Sequence, residues 1–320
     1  LYLLTRSLGY DSLVAGGVAL AGASAGFSSA FLNPFTVGVA QGIVDLPLFS
    51  GIEFRFVVWC IFTAVTAVYL SRYAAKIKAE PSASLMYEID RRREPVDDSV
   101  GEEDFTNHHL AVLLLCVVAL VAMVVGALRF QWGILELTAL FFVLAVVAGP
   151  IGGLSANATA RSFISGAADM TYAGLVVGLA RASLVILREA SVMDTITLAM
   201  ADAVSTWPAS ISVLGIYFMQ SLLNLFIPSG SGQAAVSLPI LAPVGELLGI
   251  TRQTNVLAYQ LGDGLTNILT PTQGYFMAAL GILKVPWSVW ARWLLPLLGL
   301  WLVLGSIAVL VAHEVRLGPF

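Results

Sequence analysis

Residues 203–245 contain no charged side chain, and a cluster of proline, serine and glycine interrupts the middle of this stretch. The stretch is long enough to span a lipid bilayer, yet one continuous helix cannot pass through such a cluster. In lipid, a broken backbone is tolerated only where protein or a water-filled cavity satisfies the freed N–H and C=O groups. The stretch therefore predicts a break that lines a lumen, and transporters use such breaks as binding sites.

Composition places the rest of the chain in the membrane as well. The 320 residues are 58% hydrophobic and 11% charged, against roughly 25% charged in a soluble domain. Residues 110–128 and 137–160 are two further uncharged runs, each close to or above the ~20 residues that a spanning helix needs. We expect an all-α polytopic membrane protein in contact with the lipid bilayer.

The remaining segments are predicted from apolar runs and their boundaries. The prediction comprises a broken spanning segment at 11–46, helices at 54–73, 110–128, 133–153, 172–187 and 287–312, and amphipathic arms or simple loops at 155–170 and 189–206. The polar loop at 74–109 carries the excess of lysine and arginine that is typical of a cytoplasmic segment. Because the chain opens on Leu1 without a signal-peptide pattern, we expect it to be truncated at its N-terminus.

Two segments far apart in the chain resemble each other. Residues 28–36 are followed by Gly42 and Pro47, and residues 265–272 by Gly281 and Pro286, with the same spacing from glycine to proline. A proline in mid-membrane keeps the preceding residue out of the helix and removes a donor, so each copy predicts a helix broken at a Pro-Thr joint. The alternative is a chance similarity of two helices that both contain proline, threonine and glycine.

The repeat predicts an inverted architecture. If residues 207–249 form a re-entrant hairpin, five crossings separate the two copies, and this odd number turns the second copy upside down. We expect residues 1–73 to end a first half, 74–109 to be a cytoplasmic loop, and 110–320 to be a second half with the hairpin at 207–249 and a broken helix at 252–283. A matching first hairpin would precede Leu1 and is missing from this sequence. Inverted repeats with paired broken helices are typical of alternating-access carriers.

The tip of the predicted hairpin offers neutral donors and acceptors around flexible backbone. A half-helix that starts near Gln233 would direct its positive end at a substrate carboxylate, and free carbonyls before the break could hold Na+. The alternative is a helix-packing notch of small residues. The candidate binding residues are Ser229, Gly230, Ser231, Gly232 and Gln233.

Asp263 is the only charged residue between Gln253 and Leu283. An ionisable group at that depth is costly, so it is a candidate cation ligand, proton carrier or partner of a basic substrate. The alternative is a structural ion pair with Arg181, which lies midway along its own apolar segment and could also bind a carboxylate or snorkel to the interface. Both readings of Asp263 can hold together.

Polar residues at the two joints would complete the lining of the site. These are Asn33 and Thr36 in the first joint and Thr266, Asn267, Thr270 and Thr272 in the second. We expect Asn33 and Thr36 to approach Thr270 and Thr272 near the midplane, since pseudo-symmetry places equivalent breaks around one site. No metal site is firmly indicated, although Na+ could bind near Ser231, Asp263 and Asn267. No cofactor is expected apart from Na+ or H+ as coupling ion.

Signatures of other functional classes are poor. Gly262-Asp263 resembles part of the Gly-x-Gly-Asp motif of intramembrane aspartyl proteases, yet Gln260 occupies the position of the first glycine. There is no His-Glu-x-x-His motif, no phosphate-binding loop and no basic, aromatic surface for nucleic acid. Cys60 and Cys116 lie in apolar runs and are expected to be small core residues. We expect neither an enzyme nor a nucleic-acid-binding protein.

These motifs together resemble a known family. The segments at 26–42, at 228–234 and at 262–272 are similar to the YfcC-like proteins, which are grouped with the C4-dicarboxylate anaerobic carriers and the arginine/ornithine antiporter-like proteins in the ion transporter superfamily. The resemblance covers essentially the whole chain. It implies a multi-pass transporter of the bacterial inner membrane, built from two inverted halves with two re-entrant hairpins, often dimeric, and moving like an elevator.

The leading functional hypothesis is a cation-coupled, proton-coupled or exchanging carrier for a small-molecule substrate. That substrate would be a basic amino acid or a C4-dicarboxylate, and Asp263 mildly favours the amino acid. The alternative is a channel-like or regulatory membrane protein without coupled transport, since channels also use broken helices and carbonyl oxygens.

Overall fold

A computed structural model describes residues 2–92, 106–130, 132 and 134–318. Every regular element in these ranges is a helix, as the composition predicts. Two compact units divide the chain, one formed by Leu1–Glu94 with Ala173–Phe320 and the other by Pro95–Tyr172.

The first broken helix opens the larger unit, after a short helix at Tyr2–Ser7. Its first part is Ser12–Ser28, which Asp11 caps by accepting a hydrogen bond from the Val14 N–H at 2.8 Å. The second part consists of a π-helical turn at Pro34–Gly38 and a helix at Val39–Ile43. The break at residues 29–33 directly precedes Pro34, where a proline-restricted backbone is expected to end a helix.

The polar loop that the sequence predicts from residue 74 begins later than expected. The preceding helix is Ile52–Ala79, because Lys76 and Lys78 in its last turn interact favourably with the negative end of the helix dipole. A 3₁₀ turn at Pro81–Ala83 and a short helix at Tyr87–Arg91 then follow. Residues 93–105 of the predicted loop lie outside the described part of the chain.

This loop packs on the start of the first broken helix. The Asp90 carboxylate accepts hydrogen bonds from the backbone N–H and the hydroxyl of Ser12, at 2.9 and 2.6 Å. Asp11 accepts from the hydroxyls of Tyr73 and Ser84, both at 2.6 Å. Both carboxylates therefore lie at the positive end of this helix, a position that stabilises anions.

The smaller unit contains helices Asn107–Arg129 and Ile134–Ile151, close to their predicted bounds. The predicted arm at 155–170 and the predicted helix at 172–187 are instead one helix, Ala156–Glu189. Arg161 and Asp169 lower the hydropathy of its first half, but this half contains no proline, so nothing in it interrupts helical hydrogen bonding.

The second half of the larger unit holds the predicted hairpin and the second broken helix. After a helix at Val192–Ser205, the hairpin consists of Ala209–Leu223 and Gly230–Leu247, joined by the hairpin tip, which we define as residues 224–230. The second broken helix consists of Arg252–Thr266, called the central helix below, and Gly274–Leu283. Trp287–Glu314 is the last helix.

Two helices within the described residues are long and apolar enough to cross a bilayer, Ile52–Ala79 and Trp287–Glu314. The apolar parts of the first broken helix, the first hairpin arm and Gly274–Leu283 are shorter. Interrupted helices fall below a length criterion because each half covers only part of the ~30 Å hydrocarbon core.

Candidate functional site

The central helix is enclosed by protein along its whole length. Every residue from Gln253 to Thr266 is buried, although the helix carries the polar side chains of Gln253, Gln260 and Asp263. Buried polar groups are normally hydrogen-bonded, so the partners of these side chains define what surrounds the helix.

The hairpin covers one side of the central helix. A Cβ added at Gly262 would lie 2.5 Å from the Gln220 Cβ, and the Asn224 side-chain amide donates to the Asp263 carbonyl oxygen at 2.8 Å. The first hairpin arm therefore runs parallel to the central helix. The second arm runs back, because Gly230 lies beside Asp263 whereas Gly245 lies beside Asn255. The hairpin tip is consequently held next to Asp263.

The first broken helix crosses the central helix in the opposite direction. The Ser24 hydroxyl donates to the Gly264 carbonyl oxygen at 3.3 Å, and the Gln260 amide donates to the Ala30 carbonyl oxygen at 2.6 Å. Farther along, the Gln41 amide donates to Gln253 Oε1 at 3.3 Å. Rising positions in the first broken helix thus meet falling positions in the central helix, which is the antiparallel relation that the inverted repeat predicts.

Three oxygen-bearing side chains meet around Gly230. A Cβ at this glycine would lie 2.7 Å from Thr36 Cγ2, 3.3 Å from Asp263 Oδ2 and 3.5 Å from the Tyr259 hydroxyl oxygen. That hydroxyl donates to the Gly230 carbonyl oxygen at 2.6 Å. A larger residue at position 230 would clash with Thr36, so glycine lets the tip approach the first broken helix this closely.

Two side chains of this cluster, Asp263 and Thr36, have oxygens without a donor in the described structure. Within the described structure, both carboxylate oxygens of Asp263 and the hydroxyl oxygen of Thr36 are buried without a hydrogen-bond partner. Asp263 is 0% exposed and Thr36 is 1% exposed. A buried charge without a partner is costly, so the carboxylate requires either a proton or a nearby cation. Oxygen ligands of this kind suit hard cations such as Na+.

The other candidate binding residues between positions 229 and 233 have different surroundings. Ser229 caps the second hairpin arm by accepting from the Gly232 N–H at 3.3 Å, and Ser231 is exposed. Gln233 is buried, and its amide donates to the backbone and side-chain oxygens of Gln220, both at 2.8 Å. Gln233 therefore fixes the two hairpin arms to each other at the base of the tip.

The residues of the second joint are hydrogen-bonded to one another and to the hairpin tip. Asn224 donates to Thr266 Oγ1 at 2.7 Å and to Asn267 Oδ1 at 3.0 Å. The Thr270 hydroxyl donates to the Thr266 carbonyl oxygen at 2.9 Å, and the exposed Thr272 donates to the Leu225 carbonyl oxygen at 3.0 Å. These bonds fasten the break of the second broken helix to the hairpin tip.

The predicted roles of Asn33 and Arg181 in binding stay predictions. Asn33 is half-buried, and its side-chain oxygen accepts from the Phe35 N–H at 2.9 Å within its own turn. The structure brings Thr36, Gly230 and Asp263 together, whereas no hydrogen bond among the described residues joins Asn33 or Thr36 to the threonines of the second joint. The side chain of Arg181 lies outside the described part of the structure.

Sequence reasoning missed three residues that build the site, Gln220, Asn224 and Tyr259. Gln220 and Asn224 were detectable as polar residues four positions apart in an otherwise apolar hairpin arm. Tyr259 gave a weaker signal. A tyrosine in an apolar run indicates an interface as readily as a core.

Two broken helices that cross in opposite directions, with a hairpin tip held beside a buried carboxylate at the crossing, form an arrangement that is typical of membrane transporters. The comparisons with known proteins give the family. The model of DcuC, the C4-dicarboxylate anaerobic carrier family, matches residues 4–314, and the chain belongs to this family.

Two curated relatives match over most of the chain. It is 36% identical over 317 residues to the "Putative basic amino acid antiporter YfcC" of Escherichia coli (strain K12), covering 96% of this chain and 63% of the relative. It is 32% identical over 309 residues to an uncharacterized protein of Haemophilus influenzae, covering 95% of this chain and 60% of the relative. The chain thus spans less than two thirds of the length of these relatives.

A solved structure shares the fold. The crystal structure of the Alcanivorax borkumensis YdaH transporter, reported with an unusual topology, is similar with a TM-score of 0.52 at 19% identity. The match covers 99% of this chain and 74% of that chain.

Proposed function

We propose that the intact protein is a secondary active transporter that moves a small carboxylate or amino acid by alternating access, driven by Na+, by H+ or by exchange. It would lie in the bacterial inner membrane as a multi-pass protein in contact with lipid, and would form a homodimer. The observation that carries the proposal is the Asp263 carboxylate, buried without a hydrogen-bond partner in the described structure, beside a hairpin tip and two broken helices.

The chemistry of the cluster supports coupling. A buried carboxylate without a partner is costly, so the energy of the site depends on whether a proton, Na+ or a cationic substrate group is bound. Thr36 and Gly230 belong to two other segments that meet at Asp263. Binding of a cation would therefore draw the first broken helix, the tip and the central helix together.

The candidate substrates belong to two classes, C4-dicarboxylates and basic amino acids. The chain belongs to a family named for C4-dicarboxylates, and one relative is named as a basic amino acid antiporter. An acidic side chain at the centre of the site favours a substrate with a positive group, because a dicarboxylate would be repelled unless a cation bound with it. We therefore infer a basic amino acid as the better candidate.

The test is Asp263→Asn in the intact protein, reconstituted in liposomes and assayed with radiolabelled L-lysine and succinate. Asparagine imitates the protonated acid but carries no charge. Gradient-driven uptake should be lost while exchange partly persists if Asp263 serves coupling. Both should be lost if Asp263 binds the positive group of the substrate.

Asp45→Asn is the matched control. Asp45 has an exposed side chain and a positive φ of 54°, which asparagine tolerates well, so its uptake should equal that of the wild type. Unchanged uptake and unchanged cation dependence in Asp263→Asn would make the carboxylate structural. A wild-type flux that neither saturates nor responds to substrate on the opposite side would indicate a channel instead.

A further inference from the structure

Arg55 is a buried cation that the site described above does not use. It lies near the start of the helix Ile52–Ala79 and is 1% exposed. Its Nη1 donates to Gln260 Oε1, and its Nη2 donates to Gln253 Oε1 at 3.4 Å. The Nε–H has no partner, and no carboxylate pairs with this arginine in the part of the chain that the structure describes.

The neighbours of Arg55 are neutral and held in place. The Gln260 amide donates its N–H to the Ala30 carbonyl oxygen at 2.6 Å, so its oxygen is left to face the guanidinium. The Gln253 amide likewise donates to the Ser50 hydroxyl. Two amide oxygens solvate a cation partially but do not neutralise it, and buried charges are normally paired with an opposite charge.

Arg55 and Asp263 border the same stretch of the central helix. Gln260, which contacts Arg55, precedes Asp263 by three residues, a rise of about 4.5 Å along a helix. A positive and a negative group, each buried without a counter-charge in the described structure, thus occur along the same helix, one beside Gln260 and the other at position 263. A ligand that carries a carboxylate and a positive group, or a carboxylate bound together with a cation, would compensate both.

We propose that Arg55 binds a carboxylate group of the transported substrate. This inference rests on the proposed transport function. The guanidinium is a planar fork that binds carboxylates bidentately, and its free Nε–H leaves one donor for such a contact. The carboxylate would displace the weak 3.4 Å contact with Gln253 and would neutralise the buried charge.

The test compares ligands that differ by one carboxylate. The intact protein, purified in detergent, is unfolded by heat with L-lysine, with cadaverine, which is lysine without its carboxylate, and with succinate. At least one carboxylate-bearing compound should raise the unfolding temperature of the wild type. Arg55→Gln should weaken the apparent affinity for this compound by about 10- to 100-fold. Cadaverine should raise the unfolding temperature only weakly, and by the same amount in the wild type and in Arg55→Gln.

Two further variants keep the result interpretable. Arg72→Gln removes an exposed arginine from the same helix and should respond like the wild type. Arg55→Lys keeps the charge but loses the planar fork, so it should recover only part of the affinity and serves as the measured variant if Arg55→Gln does not fold. The inference is overturned if Arg55→Gln or Arg55→Lys retains the wild-type carboxylate response. It is also overturned if no carboxylate in the panel stabilises the wild type.

Transport assays separate this inference from the proposed function. If liposomes show no saturable uptake or exchange while Arg55 still governs carboxylate binding, the transport function fails and the binding site stands. If transport proceeds equally in the wild type and in Arg55→Gln, the transport function stands and the role of Arg55 is refuted.

Discussion

Replacement of Gly264 by alanine would test the crossing of the two broken helices. A Cβ at this position would lie 2.3 Å from the Cβ and 2.4 Å from the Cα of Ser28. Carbon atoms pack best at about 3.5–4.0 Å, so the helices would have to separate by about 1 Å or more. The opposing atoms are the Cβ and the backbone of a buried serine, so no change of rotamer relieves the clash.

Two effects of opposite sign set the magnitude. Alanine in place of glycine inside a helix stabilises by roughly 0.5–1 kcal/mol. Overpacking a buried contact costs typically 1–3 kcal/mol, and the separation would stretch the hydrogen bond from Ser24 to the Gly264 carbonyl oxygen, which contributes about 1 kcal/mol. We expect a net destabilisation of about 1–3 kcal/mol, since the clash involves backbone.

Thermal unfolding of the intact protein in detergent measures this effect. Gly299→Ala is the matched control, because Gly299 lies inside the helix Trp287–Glu314 and an added Cβ would have no neighbour within 4 Å among the described residues. The control should unfold at the wild-type temperature or slightly above it, whereas Gly264→Ala should unfold clearly below it. An unfolding temperature for Gly264→Ala equal to that of Gly299→Ala would refute the close approach of the two helices.

Two more predictions concern the hairpin. Cysteines introduced at Trp207 and Gly249 should react with a membrane-impermeant thiol reagent from the same face of the membrane. A cysteine at Ser231 should react only through an aqueous cavity. Labelling of positions 207 and 249 from opposite faces would make the segment a full crossing. Asn224→Asp should destabilise the protein more than Asn224→Ala does, because the Asn224 amide donates to three oxygens and a carboxylate there would repel them; equal unfolding temperatures would contradict the assigned donors.

The breaks in the helices could be predicted because their causes are local. Proline restricts the preceding residue and removes a donor wherever it stands, so the ends of helices near Pro34, Pro228 and Pro271 follow from the sequence. Asp263 could be selected on its own because a single charge in a long uncharged run is costly in any membrane fold.

Contacts between distant segments could not be predicted in the same way. Arg55 is separated from Gln260 by 205 positions, and only the packing of the helix Ile52–Ala79 against the central helix shows that its charge is buried. The prediction also divided the helix Ala156–Glu189 into an arm and a helix. Hydropathy reports the polarity of the side chains in a segment, whereas the continuity of a helix depends on its backbone hydrogen bonds.

The position of the site follows from the composition of the central helix. Gln253, Asn255, Gln260 and Asp263 would each be exposed to hydrocarbon if this helix faced lipid, and every unsatisfied polar group there is costly. The helix is therefore stable in a membrane only if other segments surround it and supply partners, as the hairpin and the first broken helix do. The Asp263 carboxylate is left without such a partner in the described structure. A helix that must be enclosed to be stable, with one charge left uncompensated, is where a transported ion or substrate would complete the set of interactions.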